Sequence, residues 1–136
     1  VEKGVVFISI ADKLLFKSGS YLVSDRAKEV LAKVAKVIND KPTFECMVEG
    51  HTDNVPYKAK TAGSLVEDNW DLSVVRATSV VKALTSAGVS PLRISAQGRG
   101  EYLPIDSGST KEARAVNRRT EIILTPKLDV LLKSIE

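Results

Sequence analysis

Two side chains of opposite charge define the chemistry that this sequence is best equipped to perform. Asp53 follows a predicted strand that ends at Gly50, and Arg76 lies in the next predicted helix. Ligands of α/β sheets usually bind at the carboxyl ends of strands. A carboxylate accepts hydrogen bonds from an ammonium group, and a guanidinium binds a carboxylate through two N–H groups. The sequence therefore predicts a site for a small zwitterion, unless Asp53 and Arg76 simply form an ion pair with each other.

The helix that carries Arg76 brings other polar side chains to the same side. Asn69, Ser73 and Arg76 are spaced at i, i+4 and i+7, so they share one helix face. We expect this face to be polar and offset from the apolar stripe of the helix. That stripe consists of Leu72, Val75, Val80, Ala83, Leu84 and Ala87. Replacing Arg76 is then expected to leave the core intact.

Catalytic and metal-binding functions find less support in the sequence. His51, Asp53 and Ser73 are the residue types of a hydrolytic triad, but the G-x-S-x-G nucleophile motif is missing from the sequence. One His with nearby carboxylates offers too few ligands for a metal site, so we expect neither a metal nor a cofactor. The single Cys46 excludes an internal disulfide and is expected in the core.

Charge and apolar patterning narrow the classes of partner. The formal net charge of +3 is too small and too scattered to predict nucleic-acid binding. The longest apolar run, at 5–11, is far shorter than the roughly 18 residues that suggest a membrane span, so we expect no membrane contact by this segment. Three basic residues, Arg114, Arg118 and Arg119, could contact a phosphate or a carboxylate, or belong to a solvated surface.

The elements that must position these residues alternate along the chain. Strands are predicted at 5–10, 43–49, 92–96 and 119–124, with a turn at 11–13 and a short returning strand at 14–16. Helices are predicted from Ser24 to Pro42, from Asn69 to Gly88, and after a capping box at 109–112. A long loop occupies 55–68. This order predicts an α/β two-layer sandwich, in which helices cover one sheet.

The 136 residues are expected to form a single domain, 1–136, since a chain of this length buries a sizeable core. We expect the core at about 14–125 and an additional C-terminal helix within 126–136. The chain begins at Val1 and shows no targeting signal. We therefore expect it to be a piece of a longer protein.

Four ordered motifs give the sequence a recognisable pattern. They are Glu49–Asn54 (E-G-H-T-D-N), Asn69–Ala77 (N-W-D-L-S-V-V-R-A), Gly98–Gly100 followed by Pro104, and Asn117–Ile122 (N-R-R-T-E-I). In this order and spacing the chain, from about 14 to 124, resembles the OmpA-like peptidoglycan-binding domain. The resemblance implies an α+β fold with a β-α-β-α-β core, a mixed sheet and helices on one face. It also implies non-covalent binding to the peptide stem of peptidoglycan without catalysis.

The resemblance assigns roles to particular residues. Asp53 and Arg76 would hold the amino and carboxylate groups of diaminopimelate. The further peptidoglycan-binding residues implied are Thr52, Asn69, Leu72, Ser73 and Arg118. His51 and Asn54 would support the site. Lys17 stands where many family members carry an acidic residue, which removes one expected ligand contact.

Three functions stay open from the sequence. The first is a binding module that tethers an envelope protein to the cell wall. The second is a wall-anchoring component of a flagellar stator, since the long loop at 55–68 resembles the MotB-like branch more than the lipoprotein branch. The third is a hydrolase acting on wall peptide. We expect a periplasmic location, with attachment to the inner or outer membrane through an N-terminal anchor outside this sequence. A homodimer is also possible.

Overall fold

The computed structural model describes residues 4–59 and 62–127 of the chain. In these ranges the strands are β1 (Val6–Ala11), β2 (Phe44–His51), β3 (Ile94–Gly98) and β4 (Arg119–Pro126). The helices are α1 (Asp12–Leu15), α2 (Asp25–Asn39), α3 (Asn69–Ser86) and α4 (Lys111–Asn117), with a short 3₁₀ helix at Pro91–Arg93. The helix predicted within 126–136 falls almost entirely outside the described residues.

The four strands form one mixed sheet in the order β1-β4-β2-β3. β4 pairs antiparallel with both β1 and β2, whereas β2 and β3 are parallel and are joined through α3. Ile10, Val48 and Ile122 are among the strand residues buried in the core. Leu31 of α2 and Leu84 of α3 are fully buried in the same core. This arrangement confirms the predicted two-layer fold with a mixed sheet.

The segment after β1 differs from the prediction. Asp12–Leu15 forms one helical turn, closed by a hydrogen bond from the Phe16 N–H to the Asp12 carbonyl at 2.9 Å, rather than a turn and a returning strand. β1 pairs with β4 on one side and is the last strand of the sheet, so its other edge carries no partner strand among the described residues. The helical turn buries Leu15 and Phe16 in the core. It also leaves Asp12 buried at the end of β1.

The ends of α2 are held by side chains. The predicted N-cap is confirmed, since Ser24 Oγ accepts a hydrogen bond from the Ala27 N–H at 3.1 Å. At the other end the buried guanidinium of Arg93 donates to the carbonyls of Ile38 and Phe44, at 2.9 and 2.8 Å. Arg93 therefore provides hydrogen-bond donors for backbone carbonyls at the end of α2 and in the chain that follows it. Among the described helices, none combines the length and the apolar character needed to cross a bilayer.

Helix α3 lies directly on the backbone of the parallel strands. A Cβ atom at Gly50 would collide with the carbonyl oxygen of Ser73, and one at Gly98 would lie 2.7 Å from the backbone nitrogen of Val74. Ser73 is fully buried here; its hydroxyl donates to the Trp70 carbonyl at 2.8 Å and accepts from the Gly100 N–H at 3.0 Å. These contacts fix the distance between α3 and the end of β2.

Candidate functional site

A cavity of about 620 Å³ opens where β2 ends, between α1, the start of α3 and the loop after β2. Both acidic and basic side chains line it, together with the ring of Phe16 and the side chain of Leu72. Its other lining residues are Asp12, Lys13, Ser18, Gly19, Thr52, Asp53, Val55, Pro56, Tyr57, Lys58, Asn69, Arg76 and Arg118. Of the seven predicted peptidoglycan-binding residues, the cavity brings together all except Ser73.

Arg76 is more deeply placed than the sequence predicted, with only 5% of its surface exposed. Its Nη1 lies 2.6 Å from Asp12 Oδ1, its Nε donates to the Ser20 carbonyl at 2.8 Å, and its guanidinium carbon lies 4.9 Å from the Phe16 ring centre. The expected separation of a polar face from an apolar stripe is wrong. The buried side of α3 is mixed at its N-terminal end, where Leu72 lies among Asn69, Ser73 and Arg76, and is apolar from Ala77 onward.

Asp53 pairs with a different arginine. Its Oδ2 accepts a hydrogen bond from Arg118 Nη1 at 2.7 Å, and its Oδ1 accepts from the Val55 N–H at 3.0 Å. The alternative in which Asp53 and Arg76 pair only with each other is therefore wrong. The cavity wall holds two ion pairs, Asp12–Arg76 and Asp53–Arg118, and each contributes one acid and one base.

Asn69 and Thr52 shape the loop that carries Asp53. Asn69 is the first residue of α3, and its amide donates to the Val55 carbonyl at 3.0 Å. The Thr52 hydroxyl donates to the Asp53 carbonyl at 2.9 Å. Further along the loop, Val66 is buried, so both ends of the loop contact the folded domain. The backbone next to the Asp53 carboxylate is thus held in place without a ligand.

Three predicted residues lie elsewhere. Ser73 packs between α3 and the strands, as described above, because the close approach at Gly50 leaves it no opening to the cavity. Asn54 is exposed and accepts a hydrogen bond from Arg114 Nε at 3.1 Å. His51 contacts Glu49 and Glu121 instead of the cavity, because successive residues of a strand point to opposite faces of the sheet.

Comparison with known proteins identifies the family and the fold. The family model described as the OmpA family matches residues 15–118. The chain belongs to the OmpA family. It is 32% identical over 123 residues to motility protein B of Bacillus subtilis, an alignment that covers 90% of this chain and 46% of that protein. The chain spans between about a third and a half of the length of the first curated relatives it matches.

Solved structures of other proteins share the architecture. A putative MotB-like protein from Desulfovibrio vulgaris superimposes with a TM-score of 0.83 at 29% identity, covering 93% of this chain and 76% of that one. The cell wall anchor of the type VI secretion system from Pseudomonas aeruginosa superimposes with a TM-score of 0.76 at 30% identity, covering 90% and 82%. The predicted family and the predicted similarity to MotB are confirmed.

Sequence reasoning missed Asp12 as a residue of the OmpA-family cavity. The sequence pattern predicts a turn at Asp12, although Asp12 and Phe16 have the i, i+4 spacing that places two side chains on one side of a helical turn. Tyr57 and Lys58, which also line the cavity, lie in a loop without periodicity and offered no signal. Arg114, Arg118 and Arg119 do not act as one basic cluster, since their partners are Asn54, Asp53 and Glu121 respectively.

A buried polar network lies around His51. His51 Nε2 is 2.7 Å from Glu49 Oε1 and 3.3 Å from Glu121 Oε2. Arg119 donates to Glu121 at 2.9 Å, and Gln97 donates to Glu49 at 2.6 Å. Each of the four partners therefore contributes to one connected set of charges and hydrogen bonds on this side of the sheet.

Glu49, His51 and Glu121 are the residues in the described part of the chain that could offer metal ligands together, with ligand atoms within 4.8 Å of one another. The arrangement of these three side chains fits a hydrogen-bonded network better than a metal site. A metal on Nε2 would leave the proton on Nδ1, which is buried without a partner, and would lie close to the Arg119 guanidinium. A proton on Nε2, donated to Glu49, places no cation beside Arg119 and leaves Nδ1 as a buried acceptor rather than a buried donor without a partner.

This network makes a pH dependence testable. Burial lowers the pKa of His51 below its ordinary value of 6.5, and Arg119 lowers it further, against the opposing effect of Glu49 and Glu121. The unfolded state then binds more protons just below pH 6.5, so we expect the free energy of unfolding to fall as the pH drops through about 6.5. A His51→Gln variant should lose this slope.

The measurement is direct because His51 is the single histidine of the sequence. Its imidazole resonances can be titrated by NMR in the folded protein, beside chemical denaturation at several pH values. A midpoint at or above that of an unfolded histidine would contradict the expectation.

Proposed function

We propose that this chain binds peptidoglycan non-covalently, through the diaminopimelate of the stem peptide, and anchors an envelope protein to the cell wall from the periplasm. The observation that carries the proposal is the cavity with two ion pairs at the end of β2, Asp12–Arg76 and Asp53–Arg118. A related structure, from Pseudomonas aeruginosa, is a cell wall anchor. The chain acts as a binding module and not as an enzyme.

The charges of the cavity suit the free end of a diaminopimelate side chain. That end carries an ammonium group and a carboxylate on one carbon, so it needs an acid and a base as neighbours. Arg76 and Arg118 are available to the carboxylate, and the acids of the two ion pairs are available to the ammonium group. Leu72 and Phe16 offer apolar surface to the methylene groups. The lysine of other peptidoglycans lacks the terminal carboxylate and would leave the arginines unused.

The affinity is expected to be modest. A small zwitterion must lose its hydration, and the charges of the site are already paired before it binds. We expect dissociation constants on the order of micromolar to millimolar for the free amino acid. Many stem peptides on one wall fragment would still retain a protein that presents several copies of the domain.

The proposal is tested by sedimentation with insoluble peptidoglycan. We expect the domain to co-sediment with diaminopimelate-type peptidoglycan, and free diaminopimelate to release it. Lysine-type peptidoglycan is the matched control and should retain much less protein. Equal retention on both polymers would overturn the assignment of the cavity to the terminal carboxylate.

A second candidate function is a wall-anchoring part of a flagellar stator. Motility protein B of Bacillus subtilis and the MotB-like structure from Desulfovibrio vulgaris favour it. The whole protein would then carry a membrane-spanning segment before this domain and would be needed for motility. Deletion of its gene with no effect on swimming would exclude this role while leaving wall binding intact.

If the chain were a hydrolase of wall peptide, it would release cleavage products from muropeptides. Muropeptides incubated with the protein and then separated by chromatography should stay unchanged if the chain only binds. New cleavage products that disappear with Asp53→Asn would instead establish catalysis at the cavity.

A further inference from the structure

A pair of stacked aromatic rings lies at the surface beside the cavity and outside its lining. The ring centres of Trp70 and Tyr102 are 5.0 Å apart, and the planes of the two rings make an angle of 27°. Trp70 is 48% exposed and Tyr102 is 62% exposed, although tryptophan is among the most buried residue types on average. Stacking on each other therefore leaves much of the surface of both rings open to a ligand.

The backbone at Gly100 holds this aromatic pair in place. A Cβ atom at Gly100 would lie 3.3 Å from ring atoms of both Trp70 and Tyr102, so both rings pack on the glycine. The Gly100 N–H donates to the buried Ser73 hydroxyl at 3.0 Å, and the Gly100 carbonyl accepts from the Thr52 N–H at 2.9 Å. The two rings are therefore positioned before any ligand binds, which reduces the entropy that binding costs.

The aromatic pair is continuous with the wall of the cavity. Thr52 and Asn69 both line the cavity. Thr52 is hydrogen-bonded to the turn that carries Tyr102, and Asn69 directly precedes Trp70 in α3. A ligand that leaves the cavity past Thr52 and Asn69 therefore meets the aromatic pair next.

The chemistry of the aromatic pair suits a sugar ring. One face of a pyranose presents several C–H groups, which pack on the electron-rich face of an aromatic ring. The hydroxyl groups at the edge of the sugar need donors and acceptors. Arg99 and Glu101, on either side of Gly100, supply both kinds of group beside the rings, and Arg99 is exposed.

In peptidoglycan the stem peptide is joined to a sugar of the glycan strand, and diaminopimelate is the third residue of that peptide. Three extended residues span roughly 10 Å, so a sugar lies within about this distance of the diaminopimelate backbone. We propose that the aromatic pair binds a sugar ring of the glycan strand while the cavity holds the stem peptide. This inference rests on the proposed function and adds a second chemical class of ligand, a carbohydrate.

The test compares two soluble ligands that differ in their sugars. One is the stem tripeptide that ends in diaminopimelate, and the other is the same tripeptide joined to its disaccharide. In NMR titrations the wild type should bind the disaccharide-peptide at least about fivefold more tightly, the gain expected from one aromatic contact. Tyr102→Ala should reduce this preference to near unity and leave the affinity for the tripeptide unchanged.

Trp70 provides a second readout, because it is the single tryptophan of the sequence. A sugar stacked on the aromatic pair shields the indole from solvent. The disaccharide-peptide should therefore protect the fluorescence of Trp70 from quenching by acrylamide, and the tripeptide should protect it much less. Equal protection by the two ligands would contradict the proposal without the use of any variant.

Phe7→Ala is the matched control variant. Phe7 is an aromatic residue with a similar exposure of 53%, but it lies in β1, opposite Ile123 of β4. Its replacement should change neither affinity. Should Tyr102→Ala not fold, Tyr102→Leu keeps an apolar side chain on Gly100 and removes the ring.

Three outcomes overturn the proposal. If Tyr102→Ala weakens both ligands equally, the aromatic pair only supports the loop beside the cavity. If the variant keeps the full preference for the disaccharide-peptide, the sugar binds elsewhere. If the wild type binds both ligands equally, the sugar makes no contact and the exposed rings are left to a protein partner.

Binding of the wild type to the tripeptide and to the wall separates the two levels of failure. If the wild type binds neither, the proposed function fails and this inference fails with it. If the wild type binds both and the disaccharide adds no affinity, the inference alone is overturned.

Discussion

Replacing Arg76 with alanine is expected to abolish binding to peptidoglycan and to lower the free energy of unfolding by about 3 kcal/mol. Binding is lost because the carboxylate of the ligand loses its buried partner, which costs roughly 2–5 kcal/mol. Stability is lost because Asp12 is left as a buried carboxylate without its counter-ion. The expectation from the sequence, that the core would be unaffected, is therefore revised.

Two controls separate these effects. Arg93→Ala removes another buried guanidinium, remote from the cavity, which donates to the carbonyls at the end of α2. It should lower stability by about 2–3 kcal/mol and leave wall binding unchanged below its melting temperature. Asp53→Asn should weaken wall binding with a smaller loss of stability, because its partner Arg118 is more exposed than Arg76. If folded Arg76→Ala protein binds the wall as well as the wild type, Arg76 is not a binding residue.

The second large effect is expected at Gly50. Gly50→Ala should lower the free energy of unfolding by about 3–4 kcal/mol, because the added methyl group collides with the backbone carbonyl of Ser73 and α3 must move away from β2. That movement would also shift Asn69 and Arg76, which α3 carries into the cavity. Wall binding should decrease together with stability.

Gly63→Ala is the matched control for Gly50→Ala. No atom of residues 4–59 and 62–127 lies within 4 Å of a Cβ at Gly63, so the cost there is the strain of its positive φ of 80°, about 1 kcal/mol. Chemical denaturation of both variants gives the comparison. A Gly50→Ala protein as stable as Gly63→Ala would show that α3 can withdraw from the sheet at little cost.

Local patterns in the sequence determined most of the secondary structure. Alternating apolar residues predicted β2 and β4, and the helical period with a Ser24 cap predicted α2. Both predictions succeeded because each pattern shows which side of a single element is buried. The N-cap of α4 is Thr110 instead of Ser109, a shift of one residue within the predicted capping box. The strand predicted at 14–16 was wrong, because three consecutive apolar residues are compatible with either a strand or a helical turn.

The sequence motifs also determined which residues meet at the cavity. Thr52, Asp53, Asn69, Arg76 and Arg118 all line it. The end of a strand and one helix face predicted Asp53, Asn69 and Arg76, whereas Thr52 and Arg118 were implied by the resemblance of their motifs to the OmpA-like domain. His51 and Ser73, which lie in the same motifs, do not line the cavity. Strand alternation turns His51 away, and the approach of α3 to Gly50 buries Ser73 completely. A motif therefore identified the neighbourhood, and the packing decided each side chain's role.

Only the tertiary structure decided the partners of the charges. Asp12 pairs with Arg76 and Asp53 pairs with Arg118, in each case roughly 65 residues apart along the chain. Periodicity describes one element at a time, whereas an ion pair depends on the distance between two elements that the whole core brings together. The order β1-β4-β2-β3 places the end of β1, and with it Asp12, beside α3. That long-range arrangement gives the cavity its second acid. The local i, i+4 spacing of Asp12 and Phe16 indicates a helical turn, but not that the turn lies beside Arg76 of α3.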